Sequence, residues 1–549
     1  MTSPAEFAPL SDTGAMNRDR MVLSARERAV HLMLSAVAVA GCMAAMAVWL
    51  EVAWQGPARW ITALVGCTLA AQFAVWLAGW LSLPQMRRPE EALPAANARP
   101  MRVAAVTTFV SSHEPIDMLE QTLRAMAAMR VAHDTWVLDE QDSPQVRRLC
   151  ERLGALHFSR AGLAQYQCPV GPYRSATKHG NYNAWLSEHG YDRYDVLAMF
   201  DTDQVPDARY LERTVGYLAD AQVAYVQPPQ VYYNQGASLV ARGAAEESYA
   251  YYSTDLMTSY ALGHTVVIGS HGVHRLEALR AVGGLPAHDA EDLYLTMLYR
   301  AAGWRGIYVP EILALGTTPA DWRGYLQQQL RWARSILDLK IRVMPNLSGH
   351  LSIFERLLNY AHGAFYMRAL MLPVAYAVLA ILLVTGVTPA ALHLDAVLVV
   401  VAVRLMVRVL ELFRRRFYLD PRHERGVHWR SALLQFAKWP LFVRAVSDAV
   451  RGGSGAYLIT PKGVGSGQRN GGLRSVAGVH LAVATALSAA WILGEVLHGS
   501  LSMPARAAAA VAVVLSLVVA SSTLTSVPTE FSSEAYHTRH ARLQRTLPV

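Results

Sequence analysis

The sequence has few cysteines and few charged residues for its length, and both shortages narrow the class of protein. Its 549 residues include four cysteines and no Cys-x-x-Cys pair, so neither a disulfide framework nor a cysteine-based zinc site is expected. Charged residues make up 17% of the chain and hydrophobic residues 53%, whereas about a quarter of a soluble domain is charged. Part of the chain is therefore expected to lie in a membrane.

Long apolar runs account for this composition. Six stretches approach the roughly 20 residues that cross a bilayer, and they are predicted at residues 29–50, 60–82, 362–387, 390–411, 475–497 and 505–526. The fourth carries Arg404 and Arg408, so its lower half is expected either to snorkel or to face protein. Because polar residues precede the first run, which is itself long enough to span, no cleavable signal peptide is expected.

Basic residues are concentrated on one side of these spans. They precede the first span and follow the second, fourth and sixth, whereas each opposite loop has at most one arginine. The positive-inside rule therefore predicts that both termini, the large central domain and the 413–473 loop are cytoplasmic, in a multi-pass protein of the inner or plasma membrane. The net charge of +8 fits this distribution, and no nucleic-acid partner is expected.

About 280 residues of ordinary composition separate the second and third spans and predict one large soluble domain. Short apolar runs there alternate with amphipathic helical patterns, which indicates βαβ units and a mostly parallel sheet. Buried strands are predicted at 102–110, 133–139, 194–201 and 223–229. Ligands of such sheets bind at the carboxyl ends of the strands.

Acidic residues follow two of these strands. Asp139 ends the second, and Asp201 and Asp203 end the third. Two carboxylates one residue apart can bind a hard divalent cation through oxygen. An Asp-x-Asp alone also occurs in solvated turns, but its position after a buried strand favours a metal and phosphate site.

Three further segments each have a structural and a functional interpretation. Asp289, Glu291 and Asp292 lead into a helix. They are either capping residues that the helix dipole favours, or they include a general base at the start of the helix. The segment ATKHGNYN at 176–183 is either an ordinary helix cap or a loop that contacts phosphate and sugar. The segment QQQLRW at 327–332 is either the polar face of an interfacial helix or a binding set.

In order along the chain, these segments resemble the processive family 2 glycosyltransferases of membranes, above all the catalytic subunit of bacterial cellulose synthase, with hyaluronan and chitin synthases related to it. That family has three separated aspartates, a Lys-x-Gly-Asn segment and a Gln-x-x-Arg-Trp motif. The matching residues are Asp139, Asp201, Asp203, Asp292, Lys178, Gly180, Asn181, Gln328, Arg331 and Trp332. The resemblance extends to VIGSHGVHRLEALRAVGGL before the third acid and to YLITPKG at 457–463, which is similar to a gating loop.

The resemblance implies an α/β GT-A (Rossmann-like) glycosyltransferase domain inserted between the membrane helices of a six-span protein. The implied segments are a cytosolic tail at 1–28, two transmembrane helices at 29–83, the GT-A domain at 100–345, an interfacial helix with two transmembrane helices at 346–412, a cytosolic interfacial segment with the gating loop at 413–473, two transmembrane helices at 474–527 and a cytosolic tail at 528–549. Spans three to six are the expected wall of a polymer channel.

The resemblance also implies a role for each matching residue. Asp292 is the expected catalytic base, and Asp201 and Asp203 are expected to hold Mg²⁺ or Mn²⁺. The UDP-sugar is expected to contact Glu114, Asp139, Lys178, Asp201, Gln328 and Arg331. The acceptor is expected to contact Trp332, Glu291, Gly269 and Ser270. The gating loop is expected to comprise Tyr457, Ile459, Thr460 and Lys462.

This chain departs from the family pattern at several positions. The usual Asp-Asp-Gly is Asp139-Glu140-Gln141, which puts the role of the second residue in doubt. The aromatic residue expected two positions before Glu114 is Ser112, so stacking on the nucleobase is lost or supplied elsewhere. The third acidic motif, Ala290-Glu291-Asp292, keeps both acids.

The function implied is processive, inverting polymerisation of a UDP-sugar, with translocation of the polysaccharide across the membrane. The segment DTDQVP is more similar to β-glucan synthases than to hyaluronan synthases and favours UDP-glucose and a β-glucan such as cellulose. Expected partners are the UDP-sugar, the growing polysaccharide, membrane lipid and a periplasmic or outer accessory protein. The alternatives are a non-processive transferase that glycosylates a lipid carrier, a hyaluronan- or chitin-type synthase using another UDP-sugar, and a transporter with a regulatory domain.

Overall fold

The computed structural model describes residues 19–53, 59–91, 100–387, 394–421, 423–452 and 471–525. Its first elements are a short strand and two long helices, β1 (Asp19–Met21), α1 (Ala25–Ala53) and α2 (Arg59–Ser82). A second short strand, β2 (Arg87–Pro89), pairs antiparallel with β1. This pairing joins the start of α1 to the end of α2, next to the large domain that follows.

A seven-stranded sheet forms the centre of the large domain that follows α2. Its strands are β3 (Val103–Phe109), β4 (Asp134–Asp139), β5 (Leu156–Phe158), β6 (Val196–Phe200), β8 (Val223–Gln227), β10 (His271–Arg275) and β11 (Arg305–Tyr308). Their spatial order is β11-β8-β10-β6-β3-β4-β5. Neighbouring strands are parallel except where β10 pairs with β6 and β8. The predicted strands and the mostly parallel sheet are confirmed.

Both faces of the sheet are covered, which explains why its strands are continuous apolar runs. Along β3, Val103 and Ala105 belong to one hydrophobic cluster, whereas Ala104 and Val106 belong to the other. The helices that follow the first strands are α3 (Ile116–Ala127), α4 (Pro144–Leu153), α5 (Lys178–Trp185), α6 (Tyr191–Arg193) and α7 (Tyr210–Thr214). The amphipathic helical patterns predicted between the first three strands correspond to α3 and α4.

The antiparallel strand β10 was not predicted, because its sequence, HGVHR, contains two histidines and a single large apolar residue. Its register pairs His271 with Phe200 at the end of β6. The start of β10 therefore lies at the same edge of the sheet as the carboxyl ends of the parallel strands. This direction brings Gly269 and Ser270 to the edge where ligands are expected.

A second, three-stranded sheet has the order β7-β12-β9. Its strands are β7 (Val205–Pro206), β9 (Val231–Tyr232) and β12 (Ala314–Gly316), and the helices of this part of the domain are α8 (Leu239–Ala250), α9 (Leu256–Ala261), α10 (Leu276–Ala281) and α11 (Glu291–Ala301). Because β12 pairs with β7, the residues that follow β12 lie beside the Asp201–Asp203 turn.

The amphipathic helix α12 (Trp322–Asp338) begins the chain's return toward the apolar helices. It is followed by α13 (Met344–Leu347), α14 (Ile353–Met367), α15 (Met371–Thr385), α16 (Leu394–Arg414), α17 (Trp429–Ala437), α18 (Trp439–Arg451), α19 (Gly471–His498) and α20 (Met503–Leu524). Helix α12 packs against α18, where Ala333 and Leu337 share a cluster with Trp439 and Phe442.

In the described ranges, four helices are long and apolar enough to cross a membrane: residues 25–51, 59–85, 474–498 and 503–524. A pair of helices bent by 43°, residues 355–367 and 371–385, would be a fifth span. Helix α16 does not qualify, because charges such as Arg404, Arg408 and Glu411 interrupt its apolar sequence. The count of six spans stays a prediction.

The apolar helices form two groups. Val407 and Leu410 of α16 pack with Ala38 and Cys42 of α1 and with Trp80 of α2. Separately, α15, α19 and α20 share a cluster built from leucine and alanine side chains. Helix α16 therefore packs with the first two spans, although the sequence placed it with the last four.

Candidate active site

The first turn of α5 carries the lysine predicted to contact the nucleotide. Thr177 caps this helix, and its hydroxyl accepts a hydrogen bond from the amide of Gly180 at 3.2 Å. Lys178 Nζ donates to Asp201 Oδ1 at 2.5 Å and to the carbonyl oxygen of Gly269. Burial is the strongest single effect and opposes the charge of Lys178, but the interactions with Asp201, Tyr182 and Glu291 together outweigh it, so the lysine pKa is raised. Lys178 is therefore a fixed cation.

The rest of the Lys-x-Gly-Asn segment is set by close packing. A Cβ atom at Gly180 would lie 2.2 Å from the carbonyl oxygen of Arg174 and 2.7 Å from Arg160 Nη1, so only glycine fits. Asn181 Nδ2 donates to the carbonyl oxygen of Leu138 at 3.2 Å, which attaches α5 to the end of β4. The segment is thus a capped helix start, and this start also delivers a cation to the site.

The peptide group of Gly269 joins this cation to the predicted base. Its carbonyl oxygen accepts from Lys178, and its N–H donates to Asp292 Oδ2 at 3.1 Å. A Cβ atom on Gly269 would lie 3.1 Å from the same oxygen, closer than most side chains tolerate. The next residue, Ser270, accepts a hydrogen bond from the Asp201 amide at 2.8 Å. Gly269 and Ser270 therefore lie between the second and third acidic motifs.

Two acids begin α11. Asp292 Oδ1 accepts a hydrogen bond from the Leu293 amide at 2.8 Å, and burial raises the pKa of Asp292. Burial, and then the charge of Asp292, raise the pKa of Glu291 to about 7. Two interacting carboxyl groups share their protonation states, and a base works best when its pKa lies near the operating pH. This pair is therefore suited to proton transfer near neutral pH.

The other half of the Asp-x-Asp motif faces the small sheet. Asp203 Oδ2 accepts hydrogen bonds from the hydroxyl of Thr317 and from its amide at 3.3 Å. Across the described segments there is no group of three or more histidine, cysteine, aspartate or glutamate residues that could hold a metal. Mg²⁺ is usually bound through one or two carboxylates, with waters and substrate phosphates completing its shell. Asp201 and Asp203 supply two carboxylates, and their role as metal ligands stays a prediction.

The two residues predicted to hold uridine lie at the ends of neighbouring strands. Asp139 is fully buried, and its carboxylate accepts from the amides of Gln141 at 3.1 Å and Ser143 at 2.6 Å. Glu114 follows β3 and accepts from the Val110 amide at 2.9 Å. Both carboxylates therefore hold the loops that end β3 and β4.

The residue that replaces the family's second aspartate has a structural partner that the sequence did not reveal. Glu140 accepts two hydrogen bonds from Arg160, at 3.0 and 2.8 Å, and Arg160 is fully buried. The other guanidinium protons are donated to the carbonyl oxygens of Tyr166, Tyr173, Arg174 and Thr177. Glu140 and Arg160 thus hold the 160–177 loop that leads into Lys178.

Helix α12 carries the Gln-x-x-Arg-Trp motif. Its N-cap is Asp321, which accepts from the Gly324 amide at 2.8 Å. The charge of Arg331 lowers the pKa of both Asp289 and Glu291, although burial raises each of them overall. The motif's arginine is therefore beside the third acidic cluster.

The other two motif residues have different surroundings. Gln328 is partly buried, and its side chain makes no hydrogen bond in the described part of the chain. Trp332 is exposed to solvent over 38% of its surface. A planar apolar surface with this exposure is available to stack on another molecule.

Two residues near the site carry no sequence motif. Burial, and then the charge of Asp292, raise the pKa of Tyr251, so this tyrosine is close to the predicted base. Thr317 was missed because it follows a three-residue strand of the small sheet. The predicted gating loop, Tyr457, Ile459, Thr460 and Lys462, lies outside the described residues.

Comparisons with known proteins identify a family and several similar sequences. The family described as Glycosyl transferase family group 2 matches residues 196–409. A cellulose synthase catalytic subunit from Dictyostelium discoideum is 28% identical over 167 residues, 30% of this chain and 16% of that protein. The cellulose synthase catalytic subunit of Xanthomonas axonopodis pv. citri is 25% identical over 279 residues, 48% of this chain and 36% of that protein.

A plant protein and a solved structure are also similar. The probable glucomannan 4-beta-mannosyltransferase 1 of Arabidopsis thaliana is 27% identical over 201 residues, 36% of each chain. The mannosyltransferase PcManGT of Pyrobaculum calidifontis, solved with GDP-Man and Mn²⁺, is 15% identical, with a TM-score of 0.46 over 78% of this chain and all of that one. The chain spans only 16% to 36% of the length of these three curated relatives.

The family match covers β6, β8, β10 and β11 of the central sheet, the acids at 201–203 and 291–292, and the Gln-x-x-Arg-Trp helix. The mixed sheet, with its acids at the edge where the parallel strands end, is a GT-A-like fold. Residues 196–409 therefore match a glycosyltransferase family 2 model, and the chain is similar over this region to cellulose synthase catalytic subunits.

Proposed function

We propose that the protein polymerises a UDP-sugar with inversion and moves the polysaccharide across a membrane. The observation that supports this most strongly is an unbroken set of hydrogen bonds from Asp201 through Lys178 and Gly269 to Asp292. These hydrogen bonds connect the acid proposed to lie beside the diphosphate, Asp201, with the candidate base, Asp292, at one edge of the sheet. A carrier protein with a regulatory domain has no need of such a set.

In this proposal the donor lies along the ends of β3, β4 and β6. The loops held by Glu114 and Asp139 would enclose the uridine. Lys178 would contact the nucleotide. Gln328 and Arg331 would hold the diphosphate from α12, because a guanidinium group pairs with two phosphate oxygens at once.

The chemical step needs a base for the acceptor hydroxyl. That hydroxyl oxygen forms a bond to the anomeric carbon, the bond from this carbon to the phosphate oxygen breaks, and its electron pair leaves with UDP. Asp292 would take the hydroxyl proton. Gly269 N–H would fix the direction of the receiving carboxylate. Glu291, whose pKa is about 7, would share the negative charge of the pair.

A divalent cation, Mg²⁺ or Mn²⁺, is part of the proposal. Asp201 and Asp203 would hold it, with Thr317 keeping Asp203 in place. Such an ion supplies positive charge against the departing diphosphate.

The acceptor would rest on Trp332, with Glu291, Gly269 and Ser270 beside its reacting end. Processivity would follow if the elongated chain stays on Trp332 between transfers. The proposed orientation places both termini and the catalytic domain in the cytoplasm, because the basic loops lie on that side. Tyr457, Ile459, Thr460 and Lys462 are proposed as the gating loop over the donor.

UDP-glucose is the proposed donor and a β-glucan the proposed product, since the curated relatives include cellulose synthase catalytic subunits. A second candidate is β-mannosyl transfer, which the similarity to a glucomannan 4-beta-mannosyltransferase favours. The two candidates share every proposed catalytic residue and differ only in the donor.

The purified protein in lipid nanodiscs should be given radiolabelled UDP-glucose, UDP-N-acetylglucosamine, UDP-glucuronic acid and GDP-mannose separately. Label from UDP-glucose in a long polymer that an endo-β-glucanase degrades is the expected result. Label in an organic-soluble lipid would show a lipid-carrier transferase instead. The absence of transfer from every donor, by protein that still binds UDP, would contradict the proposal.

A further inference from the structure

We propose that Lys438 is a positioning residue for the motif helix α12, an inference that rests on the proposed function of Gln328, Arg331 and Trp332. Lys438 belongs to none of the motifs. It lies at the junction of α17 and α18, about 100 residues beyond the motif helix in the chain. The two meet through a buried polar network.

The network saturates the lysine. Its side chain is 3% exposed, and Nζ donates to both carboxylate oxygens of Glu247 at 3.0 Å, to Gln329 Oε1 at 3.1 Å and to the Tyr325 hydroxyl at 3.2 Å. The Tyr325 hydroxyl donates in turn to Glu247 Oε2 at 2.8 Å. An ammonium group has three protons, and here three side chains receive them. The group therefore has one geometry.

Stability alone does not explain a charge at this place. The surrounding cluster is apolar and includes Trp322, Leu326, Leu434 and Leu441. Apolar side chains can often replace a buried ion pair without loss of stability, because desolvation offsets much of the attraction between the charges. What the pair adds over an apolar contact is a fixed direction for each hydrogen bond.

That direction sets the rotation of α12 about its axis. Tyr325 and Gln329 are four residues apart and lie on one stripe of the helix. Trp332, Gln328 and Arg331 lie about 40°, 80° and 140° around the helix axis from that stripe, all on the same side of it. A helix held at that stripe therefore presents this side to the acids of α11. Of the two hydrogen bonds from Lys438 to α12, the one to Gln329 is closer in sequence to the motif residues.

The matched variants are Gln329→Leu and Gln327→Leu. The change is the same and both positions are on α12, but Gln327 makes no side-chain hydrogen bond within the described residues. Hydrogen–deuterium exchange of α12 in the full-length protein should rise for Gln329→Leu and stay at the wild-type level for Gln327→Leu. Donor turnover should fall about 10- to 100-fold for Gln329→Leu only, with a higher donor KM, because a displacement near 1 Å can cost about 100-fold in rate.

A second pair of variants separates two effects of Lys438, the positioning of α12 and the neutralisation of the Glu247 charge. Lys438→Met leaves Glu247 unpaired and should lower both melting temperature and turnover, whereas Lys438→Met with Glu247→Gln removes both charges. The double variant should recover the melting temperature but not the turnover. Recovery of both, or equal exchange and turnover in Gln329→Leu and Gln327→Leu, would overturn the inference. If the wild type transfers no sugar, the proposed function fails, and the exchange rates of α12 still decide whether Lys438 positions it.

Discussion

Replacing Asp292 with asparagine tests the proposed chemistry most directly, because the change removes the base and almost nothing else. The two side chains have the same shape. The carboxylate accepts hydrogen bonds from the amides of Gly269, at 3.1 Å, and Leu293, at 2.8 Å. An asparagine has one acceptor oxygen, so one amide loses its partner, which costs about 1–3 kcal/mol. The loss is partly offset, since burial disfavours the charged carboxylate.

The expected catalytic effect is larger than this change in stability. A positioned base contributes about 10²- to 10⁴-fold to rate, which corresponds to about 3–5 kcal/mol of activation free energy. Donor binding should be preserved, because the proposed contacts of the diphosphate are with Lys178, Gln328 and Arg331. We therefore expect kcat to fall at least 100-fold while the Kd for UDP changes less than about threefold.

The assay measures UDP release and labelled product in parallel, with UDP affinity from calorimetry and a melting curve for each variant. Asp117→Asn is the matched control, since Asp117 is an exposed aspartate on α3 and should have no effect. Glu291→Gln separates the two acids of α11. If Asp292→Asn keeps near-normal turnover while Glu291→Gln loses it, Glu291 is the base and the assignment of Asp292 is wrong.

Four other predictions use the same assays. The acid limb of the kcat profile should lie at higher pH than for an exposed carboxyl group, because the base works only when ionised and burial raises the pKa of Asp292; Glu291→Gln removes a neighbouring acid and should move this limb to lower pH, and an unmoved limb would contradict the coupling. Chelation with EDTA should abolish turnover and added Mg²⁺ or Mn²⁺ should restore it, with Asp203→Asn requiring more metal; full turnover in EDTA would refute the metal site. Arg331→Lys should raise the donor KM roughly tenfold, because one ammonium replaces a two-point contact, and an unchanged KM would place the diphosphate elsewhere. Glu140→Gln should destabilise the protein by about 3–5 kcal/mol, because it leaves buried Arg160 without its counter-charge; Asp195→Asn, in an exposed pair with Arg102, should change the melting temperature much less.

The parts of the fold that could be predicted were the buried strands, because a continuous apolar run in the sequence indicates burial on both faces of a sheet. Strands β3, β4, β6 and β8 are apolar runs because both faces of the sheet are covered, so their positions follow from composition alone. The acids that end β4 and β6 could then be placed at one edge by the geometry of parallel strands. The order of the motifs along the chain supplied the rest of the prediction.

The parts that could not be predicted depend on contacts between distant segments. Strand β10 is polar in sequence but buried in the centre of the sheet, where His274 stacks near Tyr225 and Tyr299. The sequence gives no indication that Arg160 is buried, because its partners, Glu140 and four carbonyl oxygens, are brought together only by the fold. Lys438 likewise has no local signal, because its partners lie on α8 and α12. Side-chain pairs of this kind are fixed by tertiary packing, which periodicity does not record.

The grouping of the apolar helices bears on where a polymer would leave the site. Helix α12 contacts α18 through Ala333, Leu337 and the Arg334–Asp448 ion pair, and Val479 and Val483 of α19 pack at the same cluster. Val483 also packs with the α15, α19 and α20 cluster. Helices α14, α15, α18, α19 and α20 are therefore connected to the motif helix by side-chain packing. Since α16 packs with α1 and α2, its arginines are expected to lie away from the proposed polymer path.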